Sequence, residues 1–120
     1  MKFSDTFEEI PCVYKIFNPI TGHGYIGSTL QLYSRIAMHY SMLTRRKHEN
    51  PKLQIEFDEY PSDVFDITIL VSFEMMGWNK DLMKKALKLT ERKEILKHDL
   101  LLNIADNPNK HKIKIGLLHA

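Results

Sequence analysis

Residues 12 to 29, CVYKIFNPITGHGYIGST, hold two short β-prone runs on either side of a segment carrying Asn, Pro, Thr, His and two glycines. Valine, isoleucine, tyrosine and phenylalanine suit a pleated, half-buried surface, whereas Pro, Asn and Gly form turns. The stretch therefore reads as two antiparallel strands, CVYKIF and YIGST, with Pro11 at the start of the first and NPITGHG as the hairpin loop. A consequence follows at once. Tyr14 and Tyr25 stand on paired strands across one turn.

After this hairpin the hydrophobic period changes from two to about three and a half. Thr29 is placed to cap a helix carrying Leu32, Ile36, His39 and Leu43 on one face. Arg35 lies one turn before His39 on that helix. Asn50-Pro51 starts a second helix through Leu53, Phe57 and Tyr60, which Pro61 helps to end. Residues 63 to 73, DVFDITILVSF, become continuously apolar and read as a central strand. Asn79 or Asp81 caps a long helix reaching about Asp99. That helix has one apolar row through Leu82, Ala86, Leu89, Leu96 and Leu100, and another through Leu87, Glu91 and Ile95. The order β-β-α-α-β-α implies a small α/β sandwich, with a short, about three-stranded antiparallel or mixed sheet flanked by helices.

Length and composition restrict the setting. A chain of 120 residues, 43% apolar and 27% charged, is one small soluble domain with room for one core. No apolar run approaches the ~20 residues that span a bilayer, so no membrane partner is expected. MKFSDTFEEI lacks the apolar core of a secretory signal, and the lone Cys12 excludes an internal disulfide. Both point to the cytoplasm. The net charge of +2 does not announce a nucleic-acid binder, but it is unevenly spread. TRRKH (44 to 48), NKDLMKK (79 to 85) and NKHKIK (109 to 114) are basic clusters.

The chemistry-bearing residues keep a fixed spacing. Tyr14 is followed after ten residues by Tyr25-Ile26-Gly27, then Arg35 ten after Tyr25 and His39 four after Arg35. Singly, each has a plain structural reading: strand tyrosines, a solvated arginine, a core histidine, an exposed helical glutamate. In this register the pattern closely resembles the GIY-YIG nuclease family. The second tripeptide is intact, while the first stands here as Cys12-Val13-Tyr14, with the tyrosine kept. ERKEILKHDLLLN matches the later family segment, in which a helix glutamate precedes an asparagine by about a dozen residues. Glu91 with Asn103 fits that best, and Glu94 is the alternative. HENPKLQ (48 to 54) is similar to a segment of phage intron-type homing endonucleases. The resemblance covers residues 12 to 105.

It implies a nuclease domain over residues 1–105, followed by a short polar and basic tail at 106–120. It also implies a DNA endonuclease that hydrolyses phosphodiester bonds with Mg²⁺, or Mn²⁺ in its place. Tyr14, Tyr25, Arg35, His39, Glu91 and Asn103 would form the catalytic set. Glu91 is a hard oxygen ligand suited to Mg²⁺, and Arg35 is a planar donor suited to phosphate. Tyr14 would be the general base, with Arg35 and the metal lowering its pKa. His39 would relay the proton, Tyr25 would orient water or phosphate, and Asn103 would brace Glu91. Arg45, Arg46, Lys47 and His48 are the expected DNA contacts. DNA specificity would come from the domain's loops, a homodimer or a partner protein. A restriction-type or structure-specific repair nuclease would use the same core. A catalytically silent nucleic-acid-binding module is the reading from another class.

Overall fold

The computed structural model describes residues 1–74, 77 and 79–103. Strands β1 (Cys12–Asn18) and β2 (His23–Thr29) form the expected hairpin. Helices α1 (Leu32–Thr44) and α2 (Pro51–Glu59) follow, then a single 3-10 turn at Ser62–Val64. Strand β3 (Asp66–Ser72) and helix α3 (Lys80–Lys97) complete the described elements. The sheet is antiparallel in the order β2-β1-β3. The tail at 106–120 lies outside the described residues.

The hairpin loop is tighter than its composition suggests. His23 and Gly24 already belong to β2, opposite Asn18 and Phe17. Gly22 takes φ +79°, a left-handed conformation that costs glycine little. The buried Glu56 of α2 accepts hydrogen bonds from Asn18 Nδ2 (3.2 Å) and Thr21 Oγ1 (2.8 Å), tying the loop to that helix.

Strand β1, not β3, is central, which corrects the expectation from the apolar run at 63 to 73. It pairs with β2 along its whole length and with β3 through a register shift at Val13/Tyr14. Residues alternate sides on a strand, so β1 feeds two cores. Cys12, Tyr14 and Ile16 pack with Leu32, Ile36 and Leu43 of α1 and Leu53 of α2. Val13 joins Ile26 of β2 and Met83, Leu87 and Ile95 of α3 on the other face. The result is three layers, with α1 and α2 on one face of the sheet and α3 on the other. The outer edge of β3 is met by the first residue: the Ile67 amide donates to Met1 O at 2.6 Å.

Asn50 caps α2, its side chain accepting from the Lys52 and Leu53 amides, and Pro51 takes the first turn as expected. Asn79 caps α3 in the same way. Thr29 does not cap α1. The N-cap is Gln31, whose amide donates to Thr29 Oγ1 at 3.0 Å in a local turn before the helix. Of the two apolar rows on α3, only the second is buried, Leu87 and Ile95 together with Met83. Leu82, Leu89 and Leu96 are 57%, 54% and 57% exposed. A helix docked on one sheet face can bury only one stripe, and each fully buried side chain there contributes about 1.5–3 kcal/mol.

Candidate active site

The arrangement around Tyr14 follows from the hairpin register. Tyr14 faces the α1 layer and lies directly opposite Gly27 on β2. Its ring crosses over that glycine. A Cβ at position 27 would sit 2.5 Å from the phenol oxygen and 2.7 Å from Cζ. Gly27 is thus small because Tyr14 occupies the space a side chain would need.

From the phenol a buried hydrogen-bond chain runs through two histidines. Tyr14 Oη lies 2.6 Å from His39 Nε2, and His39 Nδ1 lies 2.7 Å from His48 Nε2. The far end is anchored by a backbone amide: Asn50 N donates to His48 Nδ1 at 3.0 Å. A backbone N–H can only donate, so His48 Nδ1 is an acceptor and carries no proton. Neutral His48 therefore carries its proton on Nε2 and donates to His39 Nδ1. His39 in turn carries its proton on Nε2 and donates to the Tyr14 oxygen. The chain has one direction, toward the phenol.

The electrostatics agree with two neutral rings. Burial, with Arg35 and His48 adding to it, pushes the His39 pKa down to about 3. Burial also holds His48 below the usual histidine range. Tyr14 differs from expectation. Arg35 does lower its pKa, but burial, reinforced by Tyr25, outweighs the guanidinium and raises it above the ordinary phenol value. For Arg35 burial acts downward, and the Tyr14 and Tyr25 phenols outweigh it, so the guanidinium is held charged. Tyr25 completes this wall, its ring edge-on to His39 and His48 at 5.5 and 5.9 Å.

Glu91 reaches the same place from the opposite layer. Ser28 Oγ, at the outer strand, donates to Glu91 Oε1 at 2.8 Å, and Lys88 Nζ stands 3.6 Å from that oxygen. Glu91 is near enough to Tyr14 to act on its titration. Glu94 is placed differently, buried beside Lys97 at 3.3 Å with no hydrogen bond to its Oε2. Asn103 does not touch Glu91 in any described contact. Its amide straddles Ile26, accepting from the Ile26 N–H at 2.8 Å and donating to the Ile26 carbonyl at 2.9 Å. It extends the outer edge of β2 as a further strand would.

Tyr14, Tyr25, Arg35, His39 and Glu91 are thus brought together at the β2 side of the sheet. A cavity of about 410 Å³ opens there, lined by Ser28, Arg35, Met38, Lys84 and Lys88 among others. Of the expected DNA contacts, His48 is instead part of the hydrogen-bond chain. Arg45, Arg46 and Lys47 are exposed just past α1, where Arg45 Nε donates to Ser41 O and Arg46 lies 3.9 Å from Asp58. Sequence reasoning missed Ser28, Lys84 and Lys88. Ser28 stood within YIGST, but nothing in its spacing marked it as a partner of a residue 63 positions away. Among the described residues no group of three His, Cys, Asp or Glu gathers to hold a metal. Glu91 offers this place a hard oxygen donor, and one carboxylate with several waters is a ligand set that Mg²⁺ accepts.

No family model matches the chain, and no curated protein sequence is similar to it. Solved structures do match. The catalytic domain of the intron endonuclease I-TevI, as a glutamate-to-alanine mutant, superposes with a TM-score of 0.55 and 25% identity over 70% of this chain and 82% of that one. The catalytic domain of the homing endonuclease I-TevI gives a TM-score of 0.52 and 25% identity over 69% and 86%. The likeness to the GIY-YIG nucleases is borne out. Within a GIY-YIG-like fold, the replaced first tripeptide has a structural reading here. Cys12 is buried in the core, and burial raises its thiol pKa to about 12, so it fills space and is inert.

Proposed function

We propose that this chain is a Mg²⁺-dependent endonuclease hydrolysing DNA phosphodiester bonds, of the phage homing or mobile-element type. The supporting observation is the gathering of Arg35, two phenols and Glu91 at the β2 side of the sheet, beside a cavity that Arg35 lines, with a hydrogen-bond chain aimed at the buried phenol. Arg35 binds the non-bridging oxygens and stabilises the charge that builds on them. Glu91 would hold the Mg²⁺, which supplies Lewis-acid help to the phosphate and leaving oxygen. Tyr14 takes the proton of the attacking water. His39 does not receive it, because its Nε2 already donates to the phenol oxygen. His39 and His48 stabilise the phenolate instead, and Tyr25 positions the water or phosphate. Asn103 holds β2 straight beneath Ser28 and Gly27.

Supercoiled plasmid is the substrate for the test. Nicking is expected with Mg²⁺ and not with EDTA. Arg35→Ala and Glu91→Gln should each lower it by about 100- to 1,000-fold, the range for loss of one charge-stabilising group. Mg²⁺ should also raise the melting temperature of the parent and not of Glu91→Gln, because a ligand that binds only the native state stabilises it. Since the Tyr14 pKa lies above its ordinary value, the phenolate fraction and the rate should rise about tenfold per pH unit from pH 7 to 9. Full nicking by Tyr14→Phe, with an unchanged pH profile, rules that phenol out as the base.

The raised pKa also favours one specific rival, a nucleic-acid-binding module whose phenol stays protonated and never turns over. That rival binds DNA in a salt-dependent way and leaves plasmid intact with both Mg²⁺ and Mn²⁺.

A further inference from the structure

Helix α3 carries more positive charge on one side than its own stability favours. Lys84, Lys88 and Arg92 stand four residues apart in one row, with Lys85 beside them, and all four are exposed. Like charges at this spacing destabilise a helix by a few tenths of a kcal/mol per pair. Among the described residues, the only acid paired with the row is Glu91, 3.6 Å from Lys88. Lys84, Lys85 and Arg92 form no ion pair among the described residues.

Two depressions share these side chains. Lys84 and Lys88 line the 410 Å³ cavity together with Arg35 and Ser28. The same two lysines, with Lys85, Leu89 and Arg92, line a second depression of about 320 Å³. A basic trough therefore leaves the candidate active site and continues along α3. From Lys84 to Arg92 the helix rises about 12 Å, the axial length of three to four nucleotide steps in one strand. The charges expected to serve this purpose, Arg45 and Arg46, are partly engaged with Ser41 and Asp58.

We infer that the exposed basic row of α3, continuous with the Arg35 cavity, is the surface that tracks the phosphate backbone of duplex DNA beside the cleaved bond. This rests on the nuclease reading only for the identity of the substrate. Each lysine or arginine in the trough neutralises one phosphate, and the cost of like charges on the free helix is relieved when DNA is bound.

The test is duplex binding by fluorescence anisotropy in EDTA across a salt series, so that no cleavage occurs. The combined variant Lys84→Gln, Lys85→Gln, Arg92→Gln should weaken binding at least about tenfold and flatten the log-log salt slope by about 2 to 3. Its melting temperature should equal or exceed that of the parent, because repulsion has been removed. The charge-preserving variant Lys84→Arg, Lys85→Arg, Arg92→Lys should keep the parent slope. Arg45→Gln, Arg46→Gln, Lys47→Gln should change the slope by less than about 1. A glutamine variant of α3 that binds like the parent, or loses binding only together with its helical fold, overturns the proposal. A parent that binds through α3 yet never nicks plasmid removes the nuclease reading and leaves this surface standing. A parent that nicks while the α3 variant binds unchanged removes the surface alone.

Discussion

A hydrogen-bond chain that begins at a backbone N–H has no choice of direction, and this one ends on the Tyr14 oxygen. The same chain predicts a pH dependence of stability. In the unfolded chain both histidines bind protons below about pH 6.5, whereas folded His39 stays neutral down to about 3. The unfolded state therefore binds more protons through that window. The histidine contribution to stability should be level above pH 7 and fall as the pH drops from about 6.5 toward 3. The His39 contribution amounts to about 2 kcal/mol by pH 5. Urea midpoints at pH 7.5, 6 and 5 read this directly, and His39→Asn should flatten the trend. An equal fall in parent and variant would contradict the neutral, buried ring.

Gly27 yields a second expectation at this scale. Gly27→Ala forces a methyl against the phenol at 2.5 Å and should destabilise by about 1–3 kcal/mol, as overpacking does. The penalty should be smaller in a Tyr14→Phe background, where the nearest clashing atom is gone. Chemical denaturation of the four proteins completes the cycle. Additive effects would show that ring and glycine do not meet.

At the scale of elements, the outer edge of β2 is finished by a side chain. Asn103 satisfies both backbone groups of Ile26, and the Gly24 amide donates to Leu100 O at 3.1 Å just beside it. Asn103→Ala should cost about 1–3 kcal/mol by leaving those groups unmet. Hydrogen exchange at the Ile26 amide should quicken with it. Continued protection of that amide would mean another group holds the edge. The elements differ in how far the sequence foretold them. Caps at Asn50 and Asn79 were legible because a side-chain oxygen acts on amides two and three residues away. The α1 cap was not, because Thr29 and Gln31 offer competing local turns and the chain takes the later start.

Across the whole molecule, the candidate site lies where two layers meet. Tyr14, Tyr25, Arg35 and His39 come from β1, β2 and α1 on one face, and Glu91 comes from α3 on the other. Among the described residues no helix is long and apolar enough to cross a membrane. By itself the sequence determined the hairpin, the buried stripe of α1 and the spacing that put Tyr14 and Tyr25 on paired strands. Those features depend on neighbours within a few residues, on period two or period three and a half, and on capping chemistry. Only the tertiary structure decided that β1 is central and which row of α3 is buried. It also decided that His48 belongs to the phenol's hydrogen-bond chain and that Asn103 staples β2. Each of these depends on contacts between segments far apart in the chain. Local periodicity carries no information about which apolar stripe finds a partner, or about which way burial finally moves a phenol's pKa.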